Sequence, residues 1–182
     1  MSDVWVALLR GINVGGHHKV PMADLRELLA RVGFTDVRTY IQSGNVVFRS
    51  PEVTGAEPIA AAISDAIDAE FGFRVPVVAR PLDEIVHIAE SHPGDRGDVA
   101  PTSLLVVVLD GDTDADAQPD PEPFEPDRWT LGPREVYVTY PNGQGRSKLT
   151  IDRFERAFGV TAAARNLNTL RAIVELGRAL GD

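Results

Sequence analysis

With 182 residues, 43% of them hydrophobic and 25% charged, the chain has the make-up of a folded globular protein with room for one full domain or two small ones. It contains no cysteine, which excludes disulfides, thiolate catalysis and sulfur-ligated metals. A formal net charge of −9 opposes broad nucleic-acid binding by bulk electrostatics.

Val4 to Leu9 is a short apolar run that reads as a buried strand, and the glycine loop Gly11-Ile12-Asn13-Val14-Gly15-Gly16 follows it. Pro21 suits the first position of a helix, with Asp24 in its first turn and Leu25, Leu28, Leu29 and Val32 along one face. Gly33 ends that helix. Val37 to Ile41 and Val46 to Phe48 form a hairpin through Ser43-Gly44-Asn45, where Gly44 is expected to take a positive φ. Ile59, Ile63, Ile67 and Phe71 mark a second helix closed by Gly72. Val75, Val77 and Ala79 alternate as a strand, pushed toward a sheet edge by Pro76. The order strand, helix, strand, strand, helix, strand is the split βαβ, ferredoxin-like pattern, and it fills residues 1–80.

Residues 81–182 read as a second, smaller α/β half. Pro81 opens a helix to about Glu90, and Ser103 to Leu109 is a strand. Residues 110–127 carry eight acidic side chains and four prolines with no basic residue. They read as an exposed, poorly ordered linker, peripheral to any site. A hairpin turns through Gly132-Pro133, with strands near Trp129 to Leu131 and Glu135 to Tyr140. The loop Pro141-Asn142-Gly143-Gln144-Gly145-Arg146-Ser147-Lys148 follows, then a short helix capped by Thr150 and ended by Gly159. A last helix starts near Asn168. The whole is therefore expected to be an α+β protein of two halves.

Charge is unevenly spread. Residues 1–50 carry six basic and four acidic groups, residues 51–127 three and eighteen, and residues 128–182 nine and five. Two mildly basic ends thus flank a strongly acidic middle. Of eighteen basic residues only Lys19 and Lys148 are lysines, and each closes a glycine-containing loop. Lysine and arginine are not interchangeable at a site, so the pair marks places where a compact ammonium is wanted.

Gly11 and Gly16 have the spacing of a phosphate loop, but His17 and His18 stand where that loop needs lysine and a hydroxyl residue. A triphosphate site of that kind is therefore not expected. Backbone N–H groups near a helix start still favour an anion, and Lys19 adds charge. The plain alternative is that the glycines only let the chain turn. The four histidines are not spaced as metal ligands, the acidic run has Pro119 where a calcium loop needs its glycine, and there is no Gly-x-Ser-x-Gly elbow. Neither a metal nor a cofactor is expected.

The strings Leu9-Arg10-Gly11-Ile12-Asn13-Val14-Gly15-Gly16, Lys19-Val20-Pro21-Met22 and Thr39-Tyr40-Ile41-Gln42-Ser43-Gly44-Asn45-Val46-Val47-Phe48 resemble the bacterial family called domain of unknown function 1697. Lys148-Leu149 and the stretch from Thr161 to Thr169 are similar to its closing motif. Ala163 replaces the family's threonine there, and Leu167 its tryptophan. The resemblance implies a compact α+β fold of ferredoxin-like character, and no activity, cofactor or catalytic residue.

The residues point first to a binding module for an anionic ligand, a phosphate-bearing small molecule or nucleic-acid segment. Arg10, Asn13, Lys19, Gln42, Ser43, Asn45, Lys148, Arg165 and Asn166 are the candidate contacts. Lys19, Lys148 and Arg165 are expected to share one cleft. The rivals are a structural or protein-interaction role, and an enzyme using Lys19 or Lys148. No membrane partner is expected, and the cytoplasm is the expected location.

Overall fold

The computed structural model describes residues 4–181. They form two compact units: residues 4–86 with 172–181, and residues 87–171. The division differs from a split at residue 80, because the chain's end returns to the first unit. There Leu82 packs against Gly177, and the Arg49 guanidinium donates to the Leu180 carbonyl.

The first unit runs β1 (Val4–Leu9), α1 (Met22–Val32), β2 (Thr35–Tyr40), β3 (Asn45–Arg49), α2 (Ala56–Phe71) and β4 (Val77–Pro81). Its antiparallel sheet has the order β2-β3-β1-β4, the arrangement expected of a ferredoxin-like unit. Alternation along β1 sends Ala7 and Leu9 toward the helices, where they meet Leu25 and Leu29 of α1 and Ile59, Ile63 and Ile67 of α2. Gly33 ends α1 in the left-handed region at φ 109°, where its N–H bonds to the Ala30 carbonyl. Pro21 lies one residue before the first helical position rather than on it. β2 is an edge strand; its pairing with β3 shifts register between Thr35 and Arg38, and Asp36 there takes φ 52°.

The second unit contains β5 (Leu104–Leu109), β6 (Arg128–Leu131), β7 (Glu135–Thr139), α4 (Ile151–Phe158) and β8 (Ala162–Asn166), in the antiparallel order β6-β7-β5-β8. That order repeats the first sheet strand for strand, without any repeat visible in the sequence. Where the first unit has α1, the second has residues 110–127. Two helices begin in one unit and end in the other: α3 (Leu82–Glu90) and α5 (Leu167–Gly181). The second core gathers Leu105, Val107 and Leu109 of β5 with Val136, Val138, Tyr140 and Phe154. Thr150 occupies the start of α4, but its hydroxyl makes no capping bond.

One expectation needs correction. Residues 110–127 are mostly exposed, as expected, but the segment is anchored rather than poorly ordered: Thr113 donates its hydroxyl to the Gly132 carbonyl at 2.6 Å, and a 3-10 turn at Glu122–Phe124 sets Phe124 edge-on to Trp129. The acidic composition masked one aromatic anchor and one buried carboxylate, Asp127. β8 is a strand in a run of alanines, an element for which the sequence gives no local signal. Alanine favours helix, so only pairing with β5, from Ala162 opposite Leu109 to Asn166 opposite Leu105, makes it a strand.

His92 gives this unit an acid-sensitive point. The ring is buried, Nδ1 accepts the Gly94 N–H at 3.0 Å, and Nε2 lies 3.2 Å from the Leu105 carbonyl, which places the proton on Nε2. Burial holds the imidazolium form down, against the raising effect of the carbonyls and Asp95, so the pKa falls below its ordinary 6.5. The unfolded chain then binds a proton that the folded chain refuses. Stability from this group is full above pH 6.5 and is lost as pH falls from 6.5 through the folded value. Urea midpoints measured from pH 7.5 to 5 are expected to fall more steeply for the parent than for His92→Gln. Parallel slopes would refute this.

Candidate functional site

The loop after β1 is held by its own backbone and by one side chain. Left-handed residues recur through it: Gly11 (φ 75°), Asn13 (55°), Gly15 (60°), Gly16 (78°) and His18 (47°). This folds residues 14–17 into a tight turn closed by the His17 N–H to the Val14 carbonyl at 3.1 Å. Asn13 then braces the loop. Its Nδ2 donates to the Val20 carbonyl at 2.9 Å and the Gln42 carbonyl at 2.8 Å, while Oδ1 accepts the Val20 N–H at 2.9 Å. Both amide hydrogens are therefore engaged, and the first glycine loop is tied to the turn between β2 and β3. The His18 ring stacks on Phe73 with centroids 4.4 Å apart.

The second turn is built the same way. Gly44 takes φ 84°, its carbonyl accepts the Leu9 N–H at 2.8 Å, and the buried Asn45 donates from Nδ2 to the Tyr40 carbonyl and the Ser43 hydroxyl. Ile41, a branched residue at φ 50°, is 52% exposed, and Val14 in the loop beside it is 65% exposed. Between the loop and the start of α1 lies a cavity of about 640 Å³ lined by Asn13, Gly16, Lys19, Met22 and Gln42. No side chain caps the start of α1, so its first N–H groups keep their partial positive charge at this cavity. Lys19 is exposed there, and Arg10 is half-buried at the end of β1.

The second glycine loop shapes a cavity of about 440 Å³, lined by Asn142, Gly143, Arg146, Ser147 and Lys148 on one side and by Phe124, Glu125 and Asp127 on the other. Ser147 closes the floor: its hydroxyl donates to Asp127 and accepts the Leu149 N–H at 2.8 Å. The buried Tyr140 donates to the Leu149 carbonyl at 3.2 Å. Burial first, and the Asp127 charge second, push its hydroxyl up to about 12, so it stays protonated. A neighbouring cavity of about 390 Å³ shares Pro123, Phe124 and Lys148 and adds Pro119, Asp120 and Arg153. The Arg153 guanidinium sits 5.6 Å from the Phe124 ring centre.

Of the nominated residues, Arg10, Asn13, Lys19, Gln42, Ser43 and Asn45 gather at one end of the first unit, whereas Lys148, Arg165 and Asn166 belong to the second. Arg165 is half-buried on β8 and donates to the Ala164 carbonyl at 2.8 Å; burial pulls its pKa down to about 10, which leaves it cationic at neutral pH. Asn166 accepts the Thr169 N–H at 2.9 Å and so caps α5. Sequence reasoning passed over Phe124, Asp127, Ser147 and Arg153. The available signal was a lone aromatic inside an acidic, proline-rich stretch, which a solvated linker has no need of.

The sequence profile of a family described as a protein of unknown function, DUF1697, matches residues 2–137. The chain belongs to the DUF1697 family. The matched residues include both turns tied by Asn13, and the match stops short of the second glycine loop. A solved structure, that of the conserved bacterial protein SP0830 from Streptococcus pneumoniae, is similar over 95% of this chain and 97% of its own, with a TM-score of 0.65 at 22% identity. At that identity the likeness shows the fold alone. No curated protein matches. Leu167 is fully buried at the start of α5 and so fills core space. Among the described residues, no three His, Asp or Glu side chains are grouped to hold a metal ion, and no helix is long and apolar enough to cross a membrane.

Proposed function

We propose that this DUF1697 protein is a cytoplasmic binding module for a phosphate-bearing anion. One observation carries the reading: both lysines of an otherwise arginine-based chain line a cavity at the end of a glycine loop. Each cavity has the size of an ordinary small-molecule site, roughly 300–1,000 Å³. At the first, the uncapped start of α1 adds N–H donors; at the second, Arg146 adds a second cation. Both lysines are exposed, which suits an ion-pairing role better than proton-transfer chemistry in a dry pocket.

The rival structural reading has its own support. Asn13, Asn45 and Asn166 all bond to backbone groups, and Val14 and Ile41 present bare apolar surface.

Phosphorus NMR titration with inorganic phosphate separates the two. Binding is expected to weaken between about 50 and 200 mM salt, and each of Lys19→Met and Lys148→Met should weaken it several-fold with unchanged melting. Stoichiometry reports whether the lysines serve one ligand or two. No phosphate binding at low salt, or binding indifferent to both substitutions, would leave the structural role as the better account.

A further inference from the structure

The paired cavities of the second unit are unlike each other, and the difference specifies a ligand. The one beside the glycine loop is polar and carries Arg146 and Lys148 opposite Asp127 and Glu125. The one on the far side of Phe124 is walled by Pro119, Pro123, the Phe124 ring and the Arg153 guanidinium. Because Phe124 and Lys148 line both, a single molecule charged at one end and flat at the other can occupy them together. The Phe124 ring is fixed in place, edge-on to Trp129 at 6.2 Å, and Trp129 in turn packs on the buried Phe154 at 5.7 Å. A ring held rigidly beside an arginine plane is the kind of surface on which a nucleobase stacks.

Charge narrows the choice further. Three cations, Arg146, Lys148 and Arg153, stand among three carboxylates, Asp120, Glu125 and Asp127. A single phosphate can be met by Arg146 and Lys148, while a longer polyphosphate adds charge that the carboxylates repel. Carboxylates suit sugar hydroxyls instead. Asp127 takes the Ser147 hydroxyl on Oδ2, which leaves Oδ1 to accept from a ribose.

Resting on the anion-binding reading above, we propose that the second unit holds a nucleoside monophosphate. Its base lies against Phe124 and the two prolines, its ribose faces Asp127, and its phosphate meets Lys148 and Arg146. The site lies wholly within residues 119–153 and needs neither Lys19 nor the first glycine loop.

Isothermal titration of the full chain with AMP, adenosine, ATP and inorganic phosphate tests this. AMP is expected to bind at least tenfold more tightly than phosphate and more tightly than ATP. Phe124→Leu, which keeps apolar bulk without a π-face, should bring AMP down to the affinity of phosphate and leave phosphate itself unchanged. Lys148→Met should weaken both. Circular dichroism of each variant guards against misfolding, and Phe124→Tyr, which keeps the ring, should restore AMP binding. Phosphate binding with no preference for AMP, or AMP affinity indifferent to Phe124→Leu, would overturn the nucleotide assignment and spare the anion reading. Failure of all four probes to bind would overturn both.

Discussion

Gly44→Val is expected to lower stability by about 2–6 kcal/mol. Two costs add there. A branched residue at φ 84° carries strain of roughly 1–3 kcal/mol. In addition, a Cβ at this position would lie 2.7 Å from the Leu9 Cβ and 2.9 Å from the Ile12 Cδ1, both belonging to buried residues, so crowding costs about another 1–3 kcal/mol. Gly16 separates the two terms, because its φ of 78° is nearly the same but nothing lies within 4 Å of the added atom. Urea denaturation should therefore show Gly44→Ala to be clearly more damaging than Gly16→Ala. Equal losses would mean that the turn yields around the new methyl and that packing under it is loose.

Asn13→Ala is expected to cost about 2–4 kcal/mol and to unfasten the end of the first unit where the family strings meet. Three hydrogen bonds disappear, each contributing roughly 0.5–1.5 kcal/mol, and the N–H and carbonyl of the fully buried Val20 lose their partner. Alanine also tolerates φ 55° less well than asparagine does. Asp replacement gives a sharper comparison. It keeps the acceptor for the Val20 N–H but turns the donor side toward two carbonyls as a second acceptor, so Asn13→Asp should be at least as damaging as alanine. A direct ligand contact predicts the opposite pattern, with phosphate binding lost and melting unchanged.

The first unit could be read from the sequence almost element by element because each signal there is local. Gly33 and Gly72 end helices by adopting φ values that other residues resist, and isoleucines spaced by four mark the buried face of α2. The second unit resisted such reading because its decisive contacts are distant in the chain. Nothing near Ala162, Ala163 and Ala164 announces a strand; β5, more than fifty residues earlier, imposes it. The end of α5 likewise belongs with Leu82, across some ninety residues. For the candidate site, residue type was legible and purpose was not. Amides on turns such as Asn13, Asn45 and Asn166 can contact ligands, yet an amide brackets its own backbone equally well, and only the folded chain decides which carbonyls it meets. Phe124 was hidden by its acidic neighbours, whose charges say how the segment treats water and nothing of where its one ring goes.

The irregularity of β2 has a consequence for the protein in concentrated solution. An edge strand with a straight backbone offers a row of open N–H and carbonyl groups to any passing chain, and sheets so exposed grow into fibrils. In β2 the register slip between Thr35 and Arg38, with Asp36 turned into the left-handed region, interrupts that row after a single residue and sets the Asp36 carboxylate within the break and Arg38 at its far end. A second molecule aligning there would meet mismatched donors and a carboxylate in place of a continuous template. The kink thus acts as a chain terminator for intermolecular β-growth.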